Sequence, residues 1–124
     1  MKKTENTLKE IHKLYNDGHG HLAMVLNAKY KNDIKLNIPY LVLQDIIIYE
    51  YFTIKAGSKI IIKSISCESD RYKNPIFKSR TEYRFSTDTP VINRGRWSKL
   101  DKIVSDIEIV KTNTNIGEYL VELI

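Results

Sequence analysis

Three stretches of this chain alternate apolar and polar residues with a period of two, and that period constrains the fold more than any other feature. Leu22, Met24, Leu26, Ala28 and Tyr30 form one series, with His21, Asn27 and Lys29 on the other side. Residues 76–87 form a second, in which Tyr83 and Phe85 share one face and Arg80, Glu82 and Arg84 share the other. Tyr119, Val121 and Leu123 form a third near the C-terminus. Successive side chains of a strand point to opposite faces, so each series predicts a strand with one buried side, although Ala23 and Val25 on the second face of the first keep a helical reading open.

The run Lys59 to Ser66, with Ile60, Ile61 and Ile62, is rich in β-branched residues and predicts another strand. With residues 76–87 it makes an antiparallel hairpin across a long loop that contains Pro75. Helical spacing is confined to fewer places. Leu8, Ile11, Leu14 and Tyr15 make one apolar stripe, opened by Thr7 and Glu10 at capping-box spacing, with Thr4 as a rival cap; Gly18 and Gly20 end it. Asn37 and Pro39 have a helix-start arrangement, which predicts a largely buried helix over Tyr40 to Tyr51 against the strand preference of Ile46, Ile47 and Ile48. Ser98 and Asp101 cap a short helix carrying Leu100, Ile103, Val104 and Ile107, which gives way to a strand through Ile109 and Lys111. The expected fold is a small α+β domain over residues 1–124. It has a mainly antiparallel sheet, an N-terminal helix and one or two further helices.

A chain of 124 residues buries enough surface to hold one core without disulfides or a metal. The lone cysteine, Cys67, has no internal partner, which fits a reducing compartment. Thr4-Glu5-Asn6-Thr7 follows Met1-Lys2-Lys3 where a secretory leader would be apolar. The most apolar window, Leu41 to Ile54, is interrupted by Gln44, Asp45 and Glu50 and is too short for a bilayer. These observations predict a cytoplasmic protein that does not enter membranes.

A net charge of +5 favours acidic partners. All five arginines, Arg71, Arg80, Arg84, Arg94 and Arg96, lie in one segment interleaved with Tyr72, Phe77, Tyr83, Phe85 and Trp97. Guanidinium forks bind phosphate bidentately and stack on flat rings, so the segment suits a phosphorylated ligand. On the expected strand Arg80 and Arg84 share a face roughly 13 Å apart, with Glu82 between them as the neutralising carboxylate. Asn93-Arg94-Gly95-Arg96-Trp97 reads as a binding loop in which Gly95 permits close backbone approach and Trp97 offers a stacking face. The candidate ligand-binding residues are therefore Arg80, Arg84, Asn93, Arg94, Arg96 and Trp97.

His19 and His21 stand two apart, as two ligands of one metal would, with His12 or Cys67 to complete the shell, but no other residues have ligand spacing and no metal or cofactor is expected. No phosphate-loop, dinucleotide or nucleophile-elbow motif occurs. The sequence leaves catalysis open and leans toward binding alone. The first reading is a non-enzymatic binder of a nucleotide or nucleic acid, suited to a phage or mobile-element accessory protein that sequesters a nucleotide signal. The second is a small metal-independent ribonuclease or toxin using His19 or His21. The third is a protein-interaction module with a basic face, in which the C-terminal strand contacts a second copy.

Overall fold

The computed structural model describes residues 3–30, 33–49, 52–67, 80–93, 102–103 and 107–123. Two helices come first, α1 (Glu5–Asn16) and α2 (Gly20–Ala28). They are followed by strands β1 (Pro39–Val42), β2 (Ile46–Ile48), β3 (Phe52–Ile54), β4 (Lys59–Cys67), β5 (Thr81–Thr87), β6 (Val91–Asn93), β7 (Lys102–Ile103) and β8 (Glu108–Thr112). A 3-10 turn, Ile116–Tyr119, then leads into β9 (Leu120–Glu122). All pairings among these strands are antiparallel, which bears out the expected α+β class with a mainly antiparallel sheet.

The strands form two sheets, one ordered β8-β5-β4-β1-β9 and the other β2-β3-β6-β7. One face of the five-stranded sheet supplies Tyr40, Val42, Ile60, Ile62, Phe85, Val110 and Leu120 to a core shared with Ile46, Ile48, Phe52, Ile54 and Val91 of the second sheet. Leu41 and Val121, in register with each other on β1 and β9, point the other way and pack with Ile11, Ala23 and Leu43 beneath the helices. The molecule is therefore three layers deep at the β1–β9 side and two layers deep elsewhere. Full burial of a side chain the size of Phe85 stabilises by about 1.5–3 kcal/mol.

The expected hairpin is present as β4 and β5, and Tyr83 and Phe85 face the core as the alternation requires. Three expectations are corrected. Leu22–Tyr30 is helix, not strand: the stripe that reaches the core is Ala23 and Asn27, one helical turn apart, while Leu22 stays exposed. With Ala23 and Val25 on its second face the segment is apolar all round, so its period of two was incidental, and Leu, Ala and Met all favour helix. The segment expected as a helix over Tyr40–Tyr51 holds β1 and β2 instead, and residues 50–51 lie outside the described residues. Asn37 adopts φ 63, a turn conformation rather than a cap, and Pro39 opens β1, where a missing N–H is tolerated. The β-branched triplet Ile46–Ile48 then follows its strand preference. Ile103, expected on a helix, lies in β7; residues 98–101 lie outside the described residues.

The first helix starts one turn earlier than the Thr7 cap predicts. Thr4 is the cap, its hydroxyl oxygen accepting the Thr7 N–H at 3.2 Å. Gly20 brings α2 hard against the sheet. A Cβ there would sit 2.8 Å from the carbonyl oxygen of Leu43.

Polar side chains join the helices to the last strand. Asn27, fully buried, donates through Nδ2 to the carbonyls of Glu118 and Leu120, each at 2.9 Å. His12 Nε2 donates to the carbonyl of Glu122 at 2.7 Å. Lys3 Nζ completes the set, 2.7 Å from Asn27 Oδ1 and 3.3 Å from Glu122 Oε2.

At the opposite end of β1, Asp45 holds the β3–β4 connection. Its Oδ1 accepts the Ala56 N–H at 2.8 Å and its Oδ2 lies 3.2 Å from Lys55 Nζ. The Ala56 N–H, and after it Lys55, hold the carboxyl below its usual range.

Replacing Asn27 by Ala leaves two carbonyls and a lysine without their partner, and is expected to cost about 2–4 kcal/mol, measurable by urea denaturation. Because the Asp45 pKa is lower folded than unfolded, its contribution is present above the unfolded carboxylate value, about 3.9. It is lost as pH falls through the folded one. Asp45→Asn should flatten the acid limb of the stability profile relative to the parent protein while leaving neutral-pH stability nearly unchanged, since the Lys55 pair is solvent-exposed and weak.

Candidate nucleic-acid interface

The outer face of the five-stranded sheet, beyond the helices, is built by three strands in register. Ser64, Arg84 and Ile109 lie in one cross-strand row on β4, β5 and β8, and Ser66, Glu82 and Lys111 in the next. Cross-strand partners share a face, and Tyr83 and Phe85 occupy the opposite one, so these rows point outward. The register is irregular between Ile62 and Ser64, and this places Ser64 rather than Lys63 opposite Arg84.

Glu82 sits at the centre of the charges. Arg84 Nε donates to its Oε1 at 2.9 Å, and Lys111 Nζ lies 3.9 Å from its Oε2. The carboxylate is mostly covered, at 19% exposure, while the side chains of Arg84 and Lys111 remain 54% and 45% exposed. A guanidinium carries five N–H donors, and Glu82 engages the one on Nε. Two cations thus flank one carboxylate, and Arg80 lies exposed immediately before β5. Among the described residues the surface is an open sheet face.

The structure thus brings Arg84 together with Lys111, which the sequence did not single out, and Glu82, expected between Arg80 and Arg84, pairs with Arg84 and Lys111. It does not join Asn93 to this group: Asn93 lies on β6, in the other sheet. Arg94, Arg96 and Trp97 lie outside the described residues, as do Arg71, Tyr72 and Phe77. The signal that could have found Lys111 was the alternation of Ile107, Ile109 and Lys111. The pairing of that strand with β5 joins residues far apart in sequence, and no local pattern encodes it.

The histidines divide by role. His12 is bound to the β9 backbone and serves the fold. His19 precedes α2 without a side-chain capping bond, and His21 Nδ1 lies 3.4 Å from Gln44 Oε1, exposed. Both sit on the helical layer over β1 and β9, and β4 separates β1 from the Arg84 strand, about 10 Å across the ladder. Among the described residues no three His, Cys, Asp or Glu side chains form a group able to hold a metal ion. Among the described residues no helix is long and apolar enough to cross a membrane.

The C-terminal strand, expected to meet a second copy, is engaged within its own subunit. Leu120 and Val121 are buried, and the carbonyls of Leu120 and Glu122 are taken by Asn27 and His12. A separate cleft of about 210 Å³, lined by Lys55, Thr89, Pro90 and Ile92, opens on the second sheet. No protein-family model, curated protein or solved structure matches this chain.

Proposed function

We propose that the protein binds a phosphate-bearing polymer, a nucleic acid, without catalysing a reaction on it, through the outer face of β4, β5 and β8. The observation that carries this reading is the half-exposed pair Arg84 and Lys111 arranged around the sheltered Glu82. Glu82 holds the guanidinium in one orientation while its other donors face solvent, so less rotamer entropy is lost when a phosphate arrives. Ser64 and Ser66 set hydroxyls in the same two rows, suited to further phosphate oxygens. An open face that carries cations on two adjacent strands suits a chain of phosphates better than a single enclosed nucleotide. The ribonuclease reading has less support, because His19 and His21 belong to the helical layer and not to the Arg84 face.

Binding of a fluorescent single-stranded oligonucleotide, followed by anisotropy through a salt series, tests this reading. Affinity should fall steeply with salt, and the Arg84→Ala, Lys111→Ala double variant should weaken binding and reduce the slope of log affinity against log salt by about 2, one per phosphate contact. Binding that ignores salt, or a double variant indistinguishable from the parent, would sink the assignment. A nuclease assay on a His19→Ala, His21→Ala variant should show no change from the parent protein; loss of a measurable activity would instead favour the ribonuclease.

A further inference from the structure

On the outer face of β5 and β8 the charge and the aliphatic surface fall in different rows. Arg84 Nε donates to Glu82 Oε1 at 2.9 Å and Lys111 Nζ lies 3.9 Å from Glu82 Oε2, so both cationic groups lean into the row of Ser66, Glu82 and Lys111. Arg84 starts from the neighbouring row, where its cross-strand partner is Ile109. A long cationic side chain can shelter aliphatic surface with its stem. This one runs along β5 toward Glu82, and Ile109 stays 49% exposed. Ile107, two positions earlier, is 51% exposed. Glu108 and Val110 are buried, which turns Ile109 between them outward. Ile61 of β4 also faces outward, half-buried between the buried Ile60 and Ile62, opposite Ser86 and one row further from Glu82. The face thus has a cationic zone and, about 7 Å along the strands, an aliphatic one.

We propose that the ligand of this face is a single-stranded nucleic acid, with phosphates on Arg84 and Lys111 and a base laid against Ile109. The inference rests on the nucleic-acid reading above and narrows it. A single strand carries charge along one side and weakly solvated base faces along the other, so both zones meet a complementary group at once. A duplex does not offer this pairing, because its base faces are stacked on one another and its outside is phosphate and sugar. Its base edges lie in a major groove about 12 Å wide, which admits a helix or a two-stranded ribbon. Arg84 stands on β5, flanked by β4 and β8 in a five-stranded sheet, and a sheet of that breadth cannot enter the groove. A duplex on this face would set phosphate against Ile109 as well as against the cations. Unstacked bases, by contrast, can lie on a sheet surface and bury the aliphatic side chain beneath them. Every base has such a face, so the contact carries little sequence preference.

Anisotropy titrations with three fluorescent probes of one length separate this inference from the reading beneath it. The probes are an oligothymidylate strand, the same phosphodiester chain without its bases, and a duplex. At one salt concentration the parent protein should bind the strand about tenfold more tightly than the abasic chain, the worth of roughly one base contact. It should also prefer the strand to the duplex, despite the higher charge density of the duplex. Ile109→Thr keeps a β-branched residue on β8 and should lose most of the preference for bases, with abasic affinity and salt slope as in the parent. Ile109→Tyr offers a ring at the same place and should bind the strand severalfold more tightly, a gain that a misfolded variant cannot show. Equal affinity for strand and abasic chain with the salt slope intact, a duplex bound as tightly as the strand, or an unchanged preference in Ile109→Thr would overturn the single-strand inference and leave the phosphate reading standing. Binding without salt dependence would remove the phosphate reading, and this inference with it.

Discussion

The carbonyl oxygens of Glu118 in the 3-10 turn and of Leu120 and Glu122 on the last strand would lie bare along this edge, and side chains of the two helices take up all three. An uncovered rim of this kind is a template for unwanted strand pairing. Asn27 reaches it from α2 and His12 from α1, while Lys3 neutralises Glu122 and satisfies the remaining acceptor of Asn27. These bonds span more than ninety residues of sequence in the case of Asn27 and Leu120. They pin the helical layer over β1 and β9, and so they decide which part of the five-stranded sheet is covered and which is left bare.

What is left bare is chemically divided. Among the described residues, the part of the large sheet away from the helices presents Arg84 and Glu82 between Ser64 and Ser66 on one side and Ile109 and Lys111 on the other. The outer row of the small sheet runs Ile47, Thr53, Ile92 and Lys102, aliphatic at one end and charged at the other. One core lies between them, so the two faces cannot meet within a subunit.

How much of this was legible in the sequence depends on the range of the interaction involved. Tyr83 and Phe85 were readable as core because alternation on a strand is a property of the backbone alone. Glu82 was readable as the partner of Arg84 because residues two apart on a strand are neighbours on one face. Leu22 to Tyr30 misled because its alternation was incidental: Ala23 and Val25 made the other face apolar too, and packing of Ala23 against Leu41 and Val121 of the sheet favoured the helix. Over Tyr40 to Tyr51, a proline and an asparagine in helix-start order competed with three consecutive isoleucines. Ladder partners on β3, β4 and β9 tipped that balance toward strand, and none of them is visible from the segment itself.

By itself, then, the chain determined its class, its core-facing aromatic pair, its β4–β5 hairpin and the clustering of its arginines, because each of these rests on neighbours within a few residues. Only the tertiary structure decided that Lys111 joins Arg84 around Glu82, that Asn93 belongs to a different sheet, and that Ile47 and the Ile92 cleft share a face. Strand order governs all three. It is settled by which apolar faces bury one another once the whole chain is assembled, a choice that no local spacing records.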